Sequence, residues 1–326
     1  MAGRRGGIEV IAVMTSRAIL ERVVLGLAFA LLTACGNLSL EPQPLDRQAA
    51  GELAAVAAAG DEMLTALIAR PTTFTPHSLA RFSGNGLLTD PLRNLTVRLL
   101  PRAANCFQRF GGAVDADGDG IPASASYLID CTVSDEQAGV SLAISGTSGI
   151  SDDDDGDPLS GYDVTVTDFR LAVRDSRGPL QLLAFELDYD LDRRLSGYVL
   201  DYSLRLNTAG PGNEAGLTLL GRPTYTPDDW RDPFAAGTFA FDDSVTLSRN
   251  GLAYRVNRTS TALHYAGTCS GAFDDGGIRY RDGRENAVVV SYQGCDEVTV
   301  TYNGAALAVN RGSLWTPDVS AAARHY

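Results

Sequence analysis

The chain has 326 residues, a formal net charge of −13 at pH 7 and a hydrophobic content of 44%. This length allows one large domain or two ordinary ones, and the apolar content is sufficient for a real core. All 27 basic residues are arginine, which excludes mechanisms that need a lysine, such as Schiff-base chemistry or a P-loop. The acidic balance argues against a surface for nucleic acid or anionic membranes.

Residues 1–34 have the pattern of a signal peptide. Arg17 and Arg22 flank the start of an apolar run at Val23–Leu32, which has the length of a signal-peptide core and is too short to span a bilayer. The run ends in Leu32-Thr33-Ala34-Cys35, and small residues directly before a cysteine resemble the lipobox of bacterial lipoproteins. A plain secretory signal is the alternative. Cleavage before Cys35 removes four arginines and two glutamates, which leaves a net charge of about −15.

The lipobox resemblance also implies a location and a partner. In bacterial lipoproteins the cysteine is acylated and becomes the first residue of the mature chain, so Cys35 is the expected lipidation site. Several acyl chains form a stable membrane anchor, and the bilayer is therefore an expected partner in the bacterial cell envelope. Gly36 stands where an Asp would be the inner-membrane retention signal of enteric bacteria, which favours the outer membrane.

The four remaining cysteines predict disulfides. Cys106 and Cys131 are 25 residues apart, and Cys269 and Cys295 are 26 residues apart. An exported chain folds in an oxidising compartment, and the near-equal spacings favour these two local pairings over the two other combinations. A zinc site is disfavoured, because the chain has no C-x-x-C pair and no nearby histidine cluster.

Each cysteine pair encloses an acidic loop and a short β-like run, and each predicts two strands stapled near their ends. The similarity of the two pairs suggests a diverged repeat. Similar modules recur in uncharacterised bacterial envelope lipoproteins, which this chain loosely resembles.

The mature chain begins with a predicted tether and a helix. Residues 35–44 contain Pro42 and Pro44 without periodicity, as in a tether. Residues 45–72 contain a predicted helix that starts near Asp46 and ends before Pro71. Its apolar stripe consists of Leu53, Val56, Gly60, Leu64 and Leu67.

Residues 73–326 predict a mainly β body of antiparallel sheets that form a sandwich or a barrel-like shell. Many short alternating runs are separated by turns rich in Gly, Pro, Asn and Asp. The body is expected to consist of two related halves, at about 80–235 and 236–326. Short strands are expected at Leu180–Ala184 and Leu252–Val256, among others.

The clearest predicted hairpin pairs Phe185–Leu191 with Tyr198–Leu206, because both runs alternate strictly between apolar and polar residues. Glu186, Asp188 and Asp190 fall on its wet face. Three carboxylates in a row repel one another unless arginines or a cation face them.

The strongest candidate for a functional motif is Asp115-Ala116-Asp117-Gly118-Asp119-Gly120. Calcium takes six to eight oxygen ligands, and alternating Asp with Gly places carboxylates along a tight turn. The run resembles the aspartate loops of thrombospondin type 3 repeats and the first half of an EF-hand loop, which implies calcium ligands at Asp115, Asp117 and Asp119. Ser126 stands where the EF-hand pattern has Glu, and a plain acidic turn is the alternative.

A second acidic run, Asp152-Asp153-Asp154-Asp155-Gly156-Asp157, reads as a solvated loop, with a cation site as the alternative. Catalytic motifs are poorly supported, because no G-x-S-x-G elbow accompanies the three histidines. His264 is expected in a strand, and Trp230 is expected to contribute to packing rather than to a ligand groove.

The sequence therefore predicts a non-enzymatic, membrane-anchored and disulfide-stapled lipoprotein, with calcium as the candidate cofactor. Its expected role is structural, or the binding of an envelope protein, glycan or lipid. The alternatives are an envelope hydrolase acting on glycans or esters, in which His264 would join a serine and an acid, and a carrier for an apolar ligand.

Overall fold

The computed structural model describes residues 42–69, 107–111, 114–136, 139–175, 178–210, 213–269, 273–295 and 297–309. The predicted signal peptide, the lipidation site Cys35, the first cysteine of the local pairs, Cys106, and most of the predicted tether lie outside the described residues. Within the described part, the fold is mainly β with a single helix, as predicted.

The helix, α1 (Arg47–Ala69), begins where the sequence predicts. Asp46 caps it, because its Oδ1 accepts a hydrogen bond of 2.8 Å from the amide of Ala49, three residues on. Of the predicted apolar stripe, Leu53 is fully buried, and the other four side chains lie outside those described. In the described residues, no helix combines the length and the apolar character needed to cross a bilayer.

The described strands are β1 (Phe107–Phe110), β2 (Ala125–Asp135), β3 (Val140–Asp152), β4 (Tyr162–Asp175), β5 (Gly178–Arg194), β6 (Gly197–Gly210), β7 (Asn213–Gly221), β8 (Thr224–Pro227), β9 (Ala236–Ala240), β10 (Asp242–Arg249), β11 (Leu252–Ala266), β12 (Phe273–Arg281), β13 (Ala287–Gln293), β14 (Val298–Tyr302) and β15 (Ala305–Ala306).

These strands form one antiparallel sheet that follows the chain as a meander. β7 and β8 pair with successive parts of β6 and act as one strand interrupted at Arg222 and Pro223. β9 and β10 likewise act as one strand, interrupted at Phe241, and pair with β11. Apart from these two interruptions, each described strand pairs with the strand that precedes it and with the strand that follows it in the sequence.

The predicted hairpin is confirmed as β5 and β6, with its turn at Leu195 and Ser196. The two runs predicted at Leu180–Ala184 and Phe185–Leu191 belong to the same strand, β5. β11 continues ten residues beyond the predicted end at Val256. The apolar alternation stops there because the next inward position is occupied by Arg258, which is fully buried, and a bulge at Ala262 then shifts the alternation.

The sheet curls around one core. Tyr162 on β4 and Tyr265 on β11 are both buried in this one hydrophobic core, although four strands separate β4 from β11 in the sheet. The buried side of α1 joins the same core and contacts β7, β13 and β14. This arrangement agrees with the predicted sandwich or barrel-like shell. The division into two related halves stays a prediction.

Candidate cation site

Two acidic loops leave the sheet side by side. The first loop joins β1 to β2 and contains Asp115, Asp117 and Asp119, and the second joins β3 to β4 and begins at Asp153. β2 and β3 are paired with Ala125 opposite Ile150, so both loops emerge at the same end of the sheet. A hydrogen bond of 2.9 Å from the amide of Ala116 to Asp155 Oδ1 joins them directly.

The first loop is curled by its own aspartates. Asp115 accepts hydrogen bonds from the amides of Gly118, at 2.8 Å, and Gly120, at 3.1 Å. Both glycines have a positive φ, of 77° and 94°, which other residues adopt at a cost. Asp119 Oδ1 accepts a hydrogen bond of 2.6 Å from Ile121, whose buried side chain fixes the end of the loop in the core.

The curl and the second loop bring five carboxylates together. One oxygen each from Asp115, Asp117 and Asp155 lies within 4.8 Å of the other two, and the same holds for Asp117, Asp119 and Asp152. Asp117 belongs to both groups and is therefore at the centre. All three predicted ligands lie in this cluster, which we call the Asp117 cluster (Asp115, Asp117, Asp119, Asp152 and Asp155).

Two oxygens of the cluster are buried without a hydrogen-bond partner, Oδ2 of Asp117 and Oδ2 of Asp152. A buried carboxylate oxygen with no donor is unfavourable, and a cation compensates for it. Within the described residues, no arginine forms an ion pair with any member of the cluster. In the second acidic run, Arg193 forms an ion pair of 2.7 Å with Asp157, two residues after Asp155.

The electrostatic consequences are visible in the pKa values. The pKa of Asp119 is raised to about 6, first by burial and then by the charges of Asp117, Asp152 and Asp115, although the hydrogen bond from Ile121 lowers it. Burial and the charges of Asp152 and Asp115 also raise the pKa of Asp117, against the hydrogen bond from Asp119. The ionised cluster is therefore unfavourable on its own, and bound positive charge would stabilise it.

The ligand chemistry of the Asp117 cluster suits a hard cation. Carboxylate oxygens, with backbone carbonyls and water, are the donors that calcium takes, whereas structural zinc sites use Cys and His. Asp152 and Asp155 were not predicted as ligands together with the first loop. Their acidity is visible in the sequence, but the proximity of the two loops follows from the pairing of β2 with β3.

The disulfide prediction is supported for one pair. Cys269 and Cys295 are bonded, with their Cα atoms 5.1 Å apart, and they join the two ends of the β12–β13 hairpin. Cys131, within β2, is disulfide-bonded as well, and its predicted partner Cys106 lies outside the described residues. The β12–β13 unit therefore has the stapled two-strand form expected from its sequence.

His264 lies in β11, as predicted, between two carboxylates. Its Nδ1 is 2.5 Å from Asp274 Oδ1 and its Nε2 is 2.8 Å from Asp228 Oδ2. A general base that activates a serine needs a free ring nitrogen next to the hydroxyl. Both nitrogens of His264 face carboxylates instead.

The wet face of the predicted hairpin is strongly acidic. Glu186 has a facing arginine, Arg205, at 3.8 Å. Asp190 instead lies opposite Asp163 on β4 and Asp201 on β6, and like charges in opposite positions are unfavourable. The pKa of Asp190 is raised by burial, then by the charges of Asp192, Asp163 and Asp201.

Trp230 has both a packing contact and an exposed surface. It is 37% exposed, and its ring centre lies 5.8 Å from that of Tyr198. The guanidinium of Arg193 lies 5.7 Å from the ring centre. The packing role predicted for this tryptophan agrees with these contacts.

Comparison with known protein families, with curated proteins and with solved structures found no match for this chain. The fold and the Asp117 cluster are therefore the observations on which a functional proposal rests.

Proposed function

We propose that the protein is a non-enzymatic lipoprotein of the bacterial outer membrane whose β body is stabilised by calcium bound at the Asp117 cluster. Its role is structural, or the binding of an envelope protein, glycan or lipid. The observation that supports calcium is Asp117, which is shared by two groups of three carboxylates and has an oxygen buried without a donor.

The location rests on the sequence. The lipobox-like Leu32-Thr33-Ala34-Cys35 and the disulfide between Cys269 and Cys295 both fit an exported chain. Replacement of Cys35 by Ser tests the anchor, because the variant should be lost from the outer-membrane fraction and should keep its signal peptide as a longer, unprocessed chain. An unchanged membrane fraction and an unchanged mass would contradict lipidation.

The two alternatives receive less support. Both ring nitrogens of His264 face carboxylates, which is unfavourable for a hydrolase that would use it as a base. Beneath the β5–β6 hairpin, side chains such as Leu187 and Tyr189 are almost fully buried in the core, which leaves little support for a carrier with a large cavity there.

Calcium titration of the full chain tests the proposal. At a free concentration of 100 times Kd, one bound ion contributes about 2.7 kcal/mol of stability. At about 2–4 °C per kcal/mol for a domain of roughly 200 residues, the melting temperature should rise by about 5–10 °C. Asp117→Asn should abolish both the calorimetric heat of binding and this rise. Asp242→Asn, an exposed carboxylate on β10, is the matched control and should respond like the wild type.

The response should depend on pH with a defined sign. The pKa of Asp119 is raised to about 6, so its favourable contribution is complete below about pH 4 and is lost as the pH rises through about 6. Calcium binds the ionised form and offsets this loss. The calcium-dependent rise should therefore be full at pH 7 and absent near pH 4. No heat of binding at pH 7, or equal binding by Asp117→Asn, would overturn the proposal.

A further inference from the structure

A second cluster of titratable groups, Asp228, His264 and Asp274, lies where β11 changes the alternation of its side chains. An extra residue, Ala262, has a φ of 45° and forms a bulge between Thr261 and His264. Gly276 faces this bulge with a φ of 88°, and a Cβ atom there would lie 2.1 Å from the carbonyl oxygen of Ala262. Because of the bulge, Leu263 and Tyr265 point inward and His264 points outward.

The two contacts of His264 determine its protonation state. An ionised carboxylate accepts hydrogen bonds and donates none. For Asp228 and Asp274 both to be bonded at 2.8 Å and 2.5 Å, both ring nitrogens must carry a hydrogen. His264 is therefore an imidazolium in this arrangement, and it neutralises one of the two carboxylate charges.

Burial and charge act in opposite directions on this imidazolium. Burial lowers the pKa of His264, but the hydrogen bonds and charges of Asp228 and Asp274 outweigh burial and raise it above the ordinary 6.5. The stabilising contribution of this contact is thus complete below pH 6.5 and is lost as the pH rises through the higher pKa of the folded state.

The contact joins two separate segments. Asp228 begins the loop at 228–235 between β8 and β9, which carries Trp230. Asp274 belongs to β12, and its carbonyl oxygen accepts a hydrogen bond of 2.6 Å from Gly294, next to the disulfide at Cys295. The imidazolium therefore ties a loop with an exposed tryptophan to the stapled hairpin.

The other charged groups of the packed segments have local partners or are exposed. Asp229 accepts a hydrogen bond of 2.9 Å from the amide of Arg231, and Asp275 accepts one of 2.7 Å from the amide of Gly276. β9, on the opposite side, contains no charged residue. The remaining charged residues of the loop, Arg231 and Asp232, are exposed.

We propose that Asp228, His264 and Asp274 form a pH-operated latch on the loop at 228–235. Protonated His264 holds the loop against β12. Loss of its proton leaves Asp228 and Asp274 facing each other across a neutral ring, so Asp228 is released and Trp230 becomes more exposed. None of these three residues belongs to the Asp117 cluster. Arg193 lies 5.7 Å from the ring centre of Trp230 and pairs with Asp157 of the second acidic loop.

A Trp315→Phe background leaves Trp230 as the one tryptophan of the chain, so its fluorescence reports on the loop. We expect acrylamide quenching to increase in a single transition with a midpoint above pH 6.5. The nuclear magnetic resonance titration of the His264 ring should have the same midpoint. A midpoint at or below 6.5, or quenching that does not change while His264 titrates, would overturn the latch.

Variants locate the groups responsible. His264→Gln should remove the transition, and Asp228→Asn, at a half-exposed position that is safe for folding, should lower the midpoint by about one pH unit because one attracting charge is lost. Asp275→Asn, on the neighbouring residue, is the matched control and should leave the midpoint unchanged. A transition that persists in His264→Gln, or an equal shift in Asp228→Asn and Asp275→Asn, would show that other groups control the loop.

Discussion

Replacement of Arg258 by Met should strongly destabilise the β body, because it removes a cation from its interior. Arg258 on β11 has no exposed surface. Its Nε and Nη2 donate to the two oxygens of Asp243 at 2.7 and 2.6 Å, and Nη2 also donates to the hydroxyl of Tyr202. The ring centre of Phe241 lies 4.1 Å from the guanidinium carbon.

The magnitude follows from what the substitution leaves behind. The Asp243 side chain is only 3% exposed, so Arg258→Met leaves a buried carboxylate whose cation is gone. Removal of one partner of a buried ion pair costs about 3–5 kcal/mol. At about 2–4 °C per kcal/mol, the melting temperature should fall by roughly 6–20 °C. Asp243→Asn added to Arg258→Met removes the stranded charge and should recover part of this loss.

Urea denaturation at pH 7 measures these differences. The matched control is Arg255→Met, three residues earlier on the same strand and exposed, which should change the free energy of unfolding by less than about 0.5 kcal/mol. If Arg258→Met lowers the free energy of unfolding no more than Arg255→Met does, the Arg258–Asp243 pair contributes little to stability. If the losses of unfolding free energy in the single variants Arg258→Met and Asp243→Asn simply add in the double variant, the argument that Arg258→Met leaves an uncompensated buried charge is refuted.

Two further variants test how the ends of the sheet are held. Asp282→Asn should destabilise the chain by about 1–3 kcal/mol, because its carboxylate accepts hydrogen bonds from the amide of Leu45 at 2.8 Å and from Asn286. Burial alone would raise the pKa of Asp282, but these hydrogen bonds lower it. The difference in the free energy of unfolding between Asp282→Asn and the wild type should therefore be full at pH 7 and should shrink as the pH falls below about 4. A difference that does not vary with pH would contradict this. Joint replacement of Cys269 and Cys295 by Ser should cost about 3–4 kcal/mol, the chain-entropy value for a loop of 26 residues; an unchanged urea midpoint under non-reducing conditions would show that the staple does not stabilise the fold.

Regular strand alternation was the part of the fold that the sequence could predict. The β5–β6 hairpin is visible because every second residue from Phe185 to Leu191 is apolar and is buried in the structure. The full length of β11 is not visible, because the inward position after Val256 is occupied by a charged residue, Arg258, and the bulge at Ala262 then shifts the alternation by one residue. A prediction based on strict alternation of apolar and polar residues therefore ends the strand early. The same bulge turns His264 toward Asp228 and Asp274, which no local pattern indicates.

The candidate cation site shows the same division between local and long-range information. The curl of the first loop is local, because Asp115 binds the amides of Gly118 and Gly120 within five residues. Asp152 joins it only because β2 and β3 pair so that Ala125 lies opposite Ile150. A shift of that register by two residues would keep the same faces buried but would move Asp152 by about 7 Å, and the shared position of Asp117 would be lost. The proposed cation site therefore depends on the register of β2 and β3. A substitution that disturbs the β2–β3 pairing should weaken calcium binding even though every carboxylate is kept.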